Sequence, residues 1–179
     1  HDETLWVVRA KRDKMSHSLP EWERLRELAC EIKLYSNSHL DVLLEEFEKN
    51  ATANGAIVHW AKDAAEHNAI VEEILQQHKA HTLIKSKSML TEECGMNDYL
   101  FGKGYDIIES DLGERILQWM KLHPSHIVMP AIHIKRQEVG EMMERVLGTE
   151  KGNSDPTYLT LAVRKTMRVK FLTSAAFLT

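Results

Sequence analysis

Cysteine is nearly absent from this 179-residue chain, and what is missing narrows its chemistry before any motif is considered. Cys30 and Cys94 stand alone, without CxxC spacing, which excludes a disulfide framework and a thiolate metal site and leaves two ordinary thiols. Neither GxGxxG nor GxxxxGK[ST] occurs, so the glycine-rich cradles of dinucleotide and P-loop nucleotide binding are missing too. No apolar run approaches the roughly 18 to 20 residues that a membrane span requires, and nothing has the pattern of a secretory signal, so the cytoplasm is the default location. An excess of one charge is also lacking: charged residues make up 28% with both signs interspersed, and the net charge is −4. That balance offers no footprint for nucleic acid or for an anionic membrane surface. The tryptophans, Trp6, Trp22, Trp60 and Trp119, are scattered as packing anchors and form no basic-aromatic stripe.

What is present is enough apolar material, 43% of residues, for a core of the chain's own, in one domain with a helical appendage. A start at His1 and a stop at FLTSAAFLT, with no polar tail, lead us to expect a piece of a longer polypeptide. Residues 1–54 read as helical. Leu5, Val8 and Arg12 share one face, Ser18 and Pro20 precede a second helix with Trp22, Leu25, Leu28 and Ile32, and a third carries Leu40, Leu43, Leu44, Phe47 and Ala51 before the stop at Asn54-Gly55. From residue 55 onward the period changes. AIVHWA (56–61) reads as a strand, and Asp63 with Glu66 caps a helix carrying Ala69, Ile70, Ile74 and Leu75. The unit recurs as HTLIK (81–85) before a helix from Thr91 to Gly102, YDIIES (105–110) before a helix from Gly113 to Met120, and SHIVMP (125–130) before a helix from Lys135 to Leu147. A last amphipathic helix carries Leu159, Val163 and Met167. Four strand-helix units in series predict an α/β fold with a largely parallel sheet covered by helices, over residues 55–179.

In a parallel sheet the loops after the strands share one edge, where open α/β proteins bind ligands. Three of these loops are polar: KSKSMLTEE, ESDLGE and MPAIH. Lys85, Ser86, Lys87 and Ser88 precede a helix start that favours a small carboxylate or phosphate. A plainer reading has solvated lysines and Thr91 as the helix cap. Asp111 and Glu114 are candidates for orienting a lysine or a ligand hydroxyl, and Gly113 for close backbone approach, against the alternative of a turn with first-turn carboxylates. His133, after Pro130 and Ala131, is a candidate for facing the crevice or a structural histidine. A zinc site from His123, His126 and His133 is discounted, because those residues share no helix face. Met142 and Met143 read as core.

At the same loops, KSKSMLTEECGMND, ESDLGERILQW and PSHIVMPAIH resemble successive blocks of the LUD (lactate utilisation) domain family, in the form found in the iron-sulfur subunit of bacterial lactate-utilisation systems. WVVRAKRDKM…LPEWERLRELACEIK, HLDVLLEEFEKNATANGAIVHWAKDAAE and RKTMRVKFL extend the resemblance over nearly the whole chain. It implies a three-layer α/β domain related to sugar-phosphate isomerases and CoA transferases, carried by a parent in which a downstream ferredoxin-like module binds [4Fe-4S] clusters. It further implies companion subunits with which that parent oxidises L-lactate to pyruvate. Two cysteines cannot hold a four-iron cluster by the usual four thiolates, so no cofactor is expected in this chain and catalysis by it alone is not expected. The family pattern also continues past KFL through glycine-rich strands, so an incomplete sheet is expected here. Competing readings are an enzyme of the CoA-transferase or isomerase type, using Glu93 or Glu109, and a docking module built on the first 54 residues.

Overall fold

The structure, a computed structural model, describes residues 2–179 and divides into two compact units, one ending at Trp60 and the other running Ala61–Thr179. The first holds helices α1 (Asp2–His17), α2 (Trp22–Ser38) and α3 (Leu40–Ala53). Neither α2 nor α3 carries a buried residue, and Leu25, Ile32 and Phe47 are all exposed.

The second unit contains α4 (Ala64–Gln77), β1 (Thr82–Lys85), α5 (Met89–Glu93), α6 (Met96–Gly102), β2 (Asp106–Glu109), α7 (Leu112–Met120), α8 (Arg136–Leu147), α9 (Pro156–Thr173) and β3 (Ala176–Leu178). Its sheet is parallel throughout, in the order β2-β1-β3, with Leu83 opposite Ile107, Ile84 opposite Ile108 and Lys85 opposite Glu109. Because side chains alternate across a strand, the two faces acquire separate cores. Leu83 and Ile107 pack with Leu75, Met96, Leu100 and Tyr105, which belong to α4, α6 and their connections. Ile84 and Ile108 pack with Ile116, Met142, Met143, Leu159, Val163 and Met167 from α7, α8 and α9. The result is the α/β arrangement of helices, sheet and helices that the alternating pattern predicts.

The helix starts follow the chain's capping residues. The side chain of Asp63 accepts the Glu66 N–H, Asp111 that of Glu114, and Asp155 that of Tyr158. Gly148, at φ +66°, closes α8 in a left-handed conformation open to glycine without strain. The span from Thr91 to Gly102 is two helices rather than one, since Gly95 at φ +60° breaks it.

Two strand expectations are corrected, and one strand forms where none was expected. AIVHWA (56–61) is irregular, with Ile57 82% exposed, because an apolar run becomes a strand only where a ladder partner exists. Trp60 instead donates its indole N–H to Glu48 at 3.1 Å. SHIVMP (125–130) is a loop: His126 Nδ1 accepts the N–H groups of Val128 and Met129, both at 3.0 Å, and Ser125 N–H bonds Pro130 O. Such local bonds compete with a sheet ladder. The outer edge of β2, where a fourth strand would pair, is also engaged. Gln118 Nε2 donates to Ile107 O at 2.7 Å, and its Oε1 accepts the Glu109 N–H at 3.3 Å. Conversely, Ala176–Leu178 forms a strand beside β1, with Phe177 stacked on Phe171 of α9 at 6.0 Å between ring centres.

Gly140 fixes the approach of α8 to the following turn. A Cβ there would lie 2.6 Å from the backbone oxygen of Asn153, a group that cannot rotate away. Gly140→Ala should therefore destabilise the fold by about 1–3 kcal/mol, the usual range for overpacking, as read from the urea unfolding midpoint.

Candidate functional site

Strand alternation puts Lys85 on the same face as Leu83, and Glu109 on the same face as Ile107. The parallel register then sets the last residues of TLIK and DIIE side by side. Lys85 is fully buried, with its Nζ 2.8 Å from Glu109 Oε1 and 3.3 Å from Glu92 Oε1 on α5. Asn97 on α6 donates to the same Glu109 oxygen at 2.8 Å, and more weakly to Glu92 at 3.4 Å. A lysine desolvated this completely is tolerated because two carboxylates face its ammonium.

Glu114, in the first turn of α7, is buried as well. Its Oε1 lies 3.7 Å from Lys87 Nζ, close enough for ionic attraction but too long for a hydrogen bond. Burial, and next the negative charges of Glu109 and Glu92, push the Glu114 carboxyl above the usual carboxylate range. These groups border a cavity of 520 Å³ between α6 and α7, lined at its polar end by Glu92, Asn97, Glu109 and Glu114. Four buried polar atoms of the network lack a hydrogen-bond partner: Lys87 Nζ, Asn97 Oδ1, Glu109 Oε2 and Glu114 Oε1.

Of the residues the loops nominate, Lys85, Lys87 and Glu114 therefore belong to one charged network. Ser86 lies between the lysines and donates its backbone N–H to Leu178 O at 2.8 Å, holding β3. Ser88 caps α5 in place of Thr91: its hydroxyl accepts the Thr91 N–H at 3.5 Å. Asp111 is exposed and caps α7. Gly113 permits close approach of a side chain rather than of a ligand, since a Cβ there would meet Pro130 Cγ at 2.9 Å. His133 is exposed, and its Nδ1 is 2.6 Å from Ser125 Oγ; it shares no hydrogen bond or ion pair with the network. Glu92 and Asn97 were not legible as members, since nothing in their local sequence separates them from surface residues. Glu109 had a signal: two short apolar runs ending in Lys and Glu, which parallel register would pair.

With this geometry in hand, comparison with known proteins is informative. The sequence model described as LUD domain matches residues 44–179. The chain belongs to the LUD domain family. This LUD domain chain is 37% identical, over 93% of its length, to the uncharacterized electron transport protein YkgF of Escherichia coli (strain K12), of which it covers 35%. It is 40% identical over 90% of its length to lactate utilization protein B of Bacillus pumilus (strain SAFR-032), covering 34% of that protein. The protein of the same name from Macrococcus caseolyticus (strain JCSC5402) is 36% identical over 93% of the chain. The chain thus spans about a third of the length of the curated relatives it matches. No solved structure matches it significantly. Among the described residues of this LUD domain chain no helix is long and apolar enough to cross a membrane, and no group of three or more His, Cys, Asp or Glu is arranged to hold a metal ion.

Lys85→Met should cost about 3–5 kcal/mol in chemical denaturation, the usual penalty for leaving a buried charge unpaired. The double change Lys85→Met with Glu109→Gln should recover most of that loss; a double variant as unstable as the single one would contradict the pairing.

Glu114 generates a pH prediction. Its folded pKa is raised, so its contribution to stability is complete below the ordinary carboxyl value of 4.5 and is lost as pH rises through the raised value. Glu114→Gln stays neutral, so the wild-type melting temperature should fall relative to the variant's as the pH rises above 4.5. Parallel curves would refute this.

Proposed function

We propose that this chain is the LUD-domain portion of an iron-sulfur electron-transfer protein that takes part in oxidising L-lactate to pyruvate. The observation that carries this reading is the likeness, continuous over nine-tenths or more of the chain, to proteins named for lactate utilisation and for electron transport. The chain's own thiols do not fit a [4Fe-4S] cluster: Cys30 and Cys94 are only two, where four thiolates are usual, and they lie in separate compact units. The clusters therefore belong to the longer protein beyond these residues, and companion subunits complete the oxidation. This portion contributes a scaffold and a site for a small carboxylate or phosphate at the carboxyl ends of β1 and β2.

Within that site Lys85 is already neutralised by Glu109 and Glu92. Lys87, whose Nζ lies 3.7 Å from Glu114 and has no hydrogen-bond partner, carries the attraction for the anion. Ser86, Ser88, Asp111, Gly113 and Glu114 hold the loops around it, and His133 is on the loop that follows α7.

The test is made in cells carrying the full-length gene. Deleting the segment that encodes this chain should abolish growth on L-lactate as sole carbon source while growth on pyruvate persists; undiminished growth on L-lactate overturns the proposal. In the purified full-length protein, Lys87→Ala should weaken calorimetric binding of L-lactate or phosphate about ten-fold, in line with loss of one charged hydrogen bond.

A further inference from the structure

We infer that the cavity between α6 and α7 binds a small organic molecule through hydrogen-bond donors, hydroxyl or ammonium, that the molecule presents to Glu109 and Asn97. This goes beyond the role in lactate utilisation and does not depend on it.

The polar end of the cavity is a built site. The Glu109 side chain is 3% exposed. Its Oε1 is taken by Lys85 Nζ and Asn97 Nδ2, both at 2.8 Å, while Oε2 is buried without a partner. The orientation of the Asn97 amide follows from its surroundings, since the atom facing the carboxylates of Glu109 and Glu92 must be the donor. Asn97 Oδ1 is then left as a second buried acceptor without a donor. Glu114 Oε1 is a third. A buried acceptor that has exchanged water for nothing destabilises its surroundings, and a ligand that supplies the donor recovers that loss.

Charge selects in the same direction. Glu92, Asp98, Glu109 and Glu114 line the cavity against Lys121, and with Lys85 and Lys87 behind the wall the carboxylates still outnumber the lysines. Lys87, which attracts an anion to the strand ends, is not among the lining residues, so an anion would enter the cavity itself against this field, whereas an ammonium group or a neutral alcohol would not. Phe101, Leu117 and Leu122 add an apolar surface for a carbon skeleton. A volume of 520 Å³ lies within the usual range for small-molecule sites.

Three probes of equal chain length separate the possibilities: 1,4-diaminobutane, 1,4-butanediol and succinate, each titrated into 15N-labelled protein. The readout is the side-chain amides of Asn97 and Gln118, which border the cavity. We expect saturable shifts of both amides with at least one donor-bearing probe and none with succinate. A response to the diamine alone assigns an ammonium ligand, and a response to the diol alone assigns a hydroxyl ligand. If neither donor probe moves these amides, or succinate moves them equally, the inference is overturned. Asn97→Ala, followed at the Gln118 amide, should weaken the responding probe about ten-fold, and unchanged affinity also overturns it. The three-probe comparison on the unaltered protein decides the matter even if that variant does not fold.

Discussion

The second unit of this molecule is organised around a lysine that has no access to water. Lys85 ends the central strand, and its ammonium is enclosed by Glu109 from the neighbouring strand, itself held by Asn97, and by Glu92 from α5. Charges stripped of hydration are tolerable only when the opposing charge is in place and well oriented. That requirement ties β1 to β2 in one register, because a slip by one residue would turn Lys85 and Glu109 onto opposite faces. It also fixes α5 and α6 over the ends of the strands. The same pair thus specifies the sheet and shapes the wall of the cavity.

The electrostatic character of that wall differs from what the loop sequences imply. Two lysines and two serines before a helix start read as a basic edge, but the strands bring acidic side chains to the same place. Lys85 is matched by two carboxylates, and Lys87 faces Glu114. The polar end of the cavity is therefore rich in acceptors. Glu114 follows from this crowding: enclosed and flanked by Glu109 and Glu92, it binds its proton more tightly than a free carboxyl does.

The legible and illegible parts of the fold differ for a physical reason. TLIK and YDIIES were readable as strands, and the helices after them as crossovers, because periodicity and caps are local properties. AIVHWA and SHIVMP have equally good local credentials and form no strand, whereas Ala176–Leu178, with weaker ones, does. A strand exists by virtue of its neighbour, and β1 offers Leu178 O a donor in Ser86, while the far side of β2 offers no free donor to a newcomer at Glu109. The site divides similarly. The polar loops could be found by composition, but the identity of the partners for Lys85 depends on register and on helix packing, which no single stretch of sequence encodes.

The side chain of Gln118 has a consequence for how the molecule behaves in company. Its amide repeats, with one donor and one acceptor, the pattern that another backbone would bring to Ile107 and Glu109. Outer strands with an open row of such groups invite a second copy to continue the sheet, the route by which β-rich chains associate into fibrils. At this point of β2, one of the sheet's two outer strands, the invitation is already answered from within the same chain, without the cover of another strand.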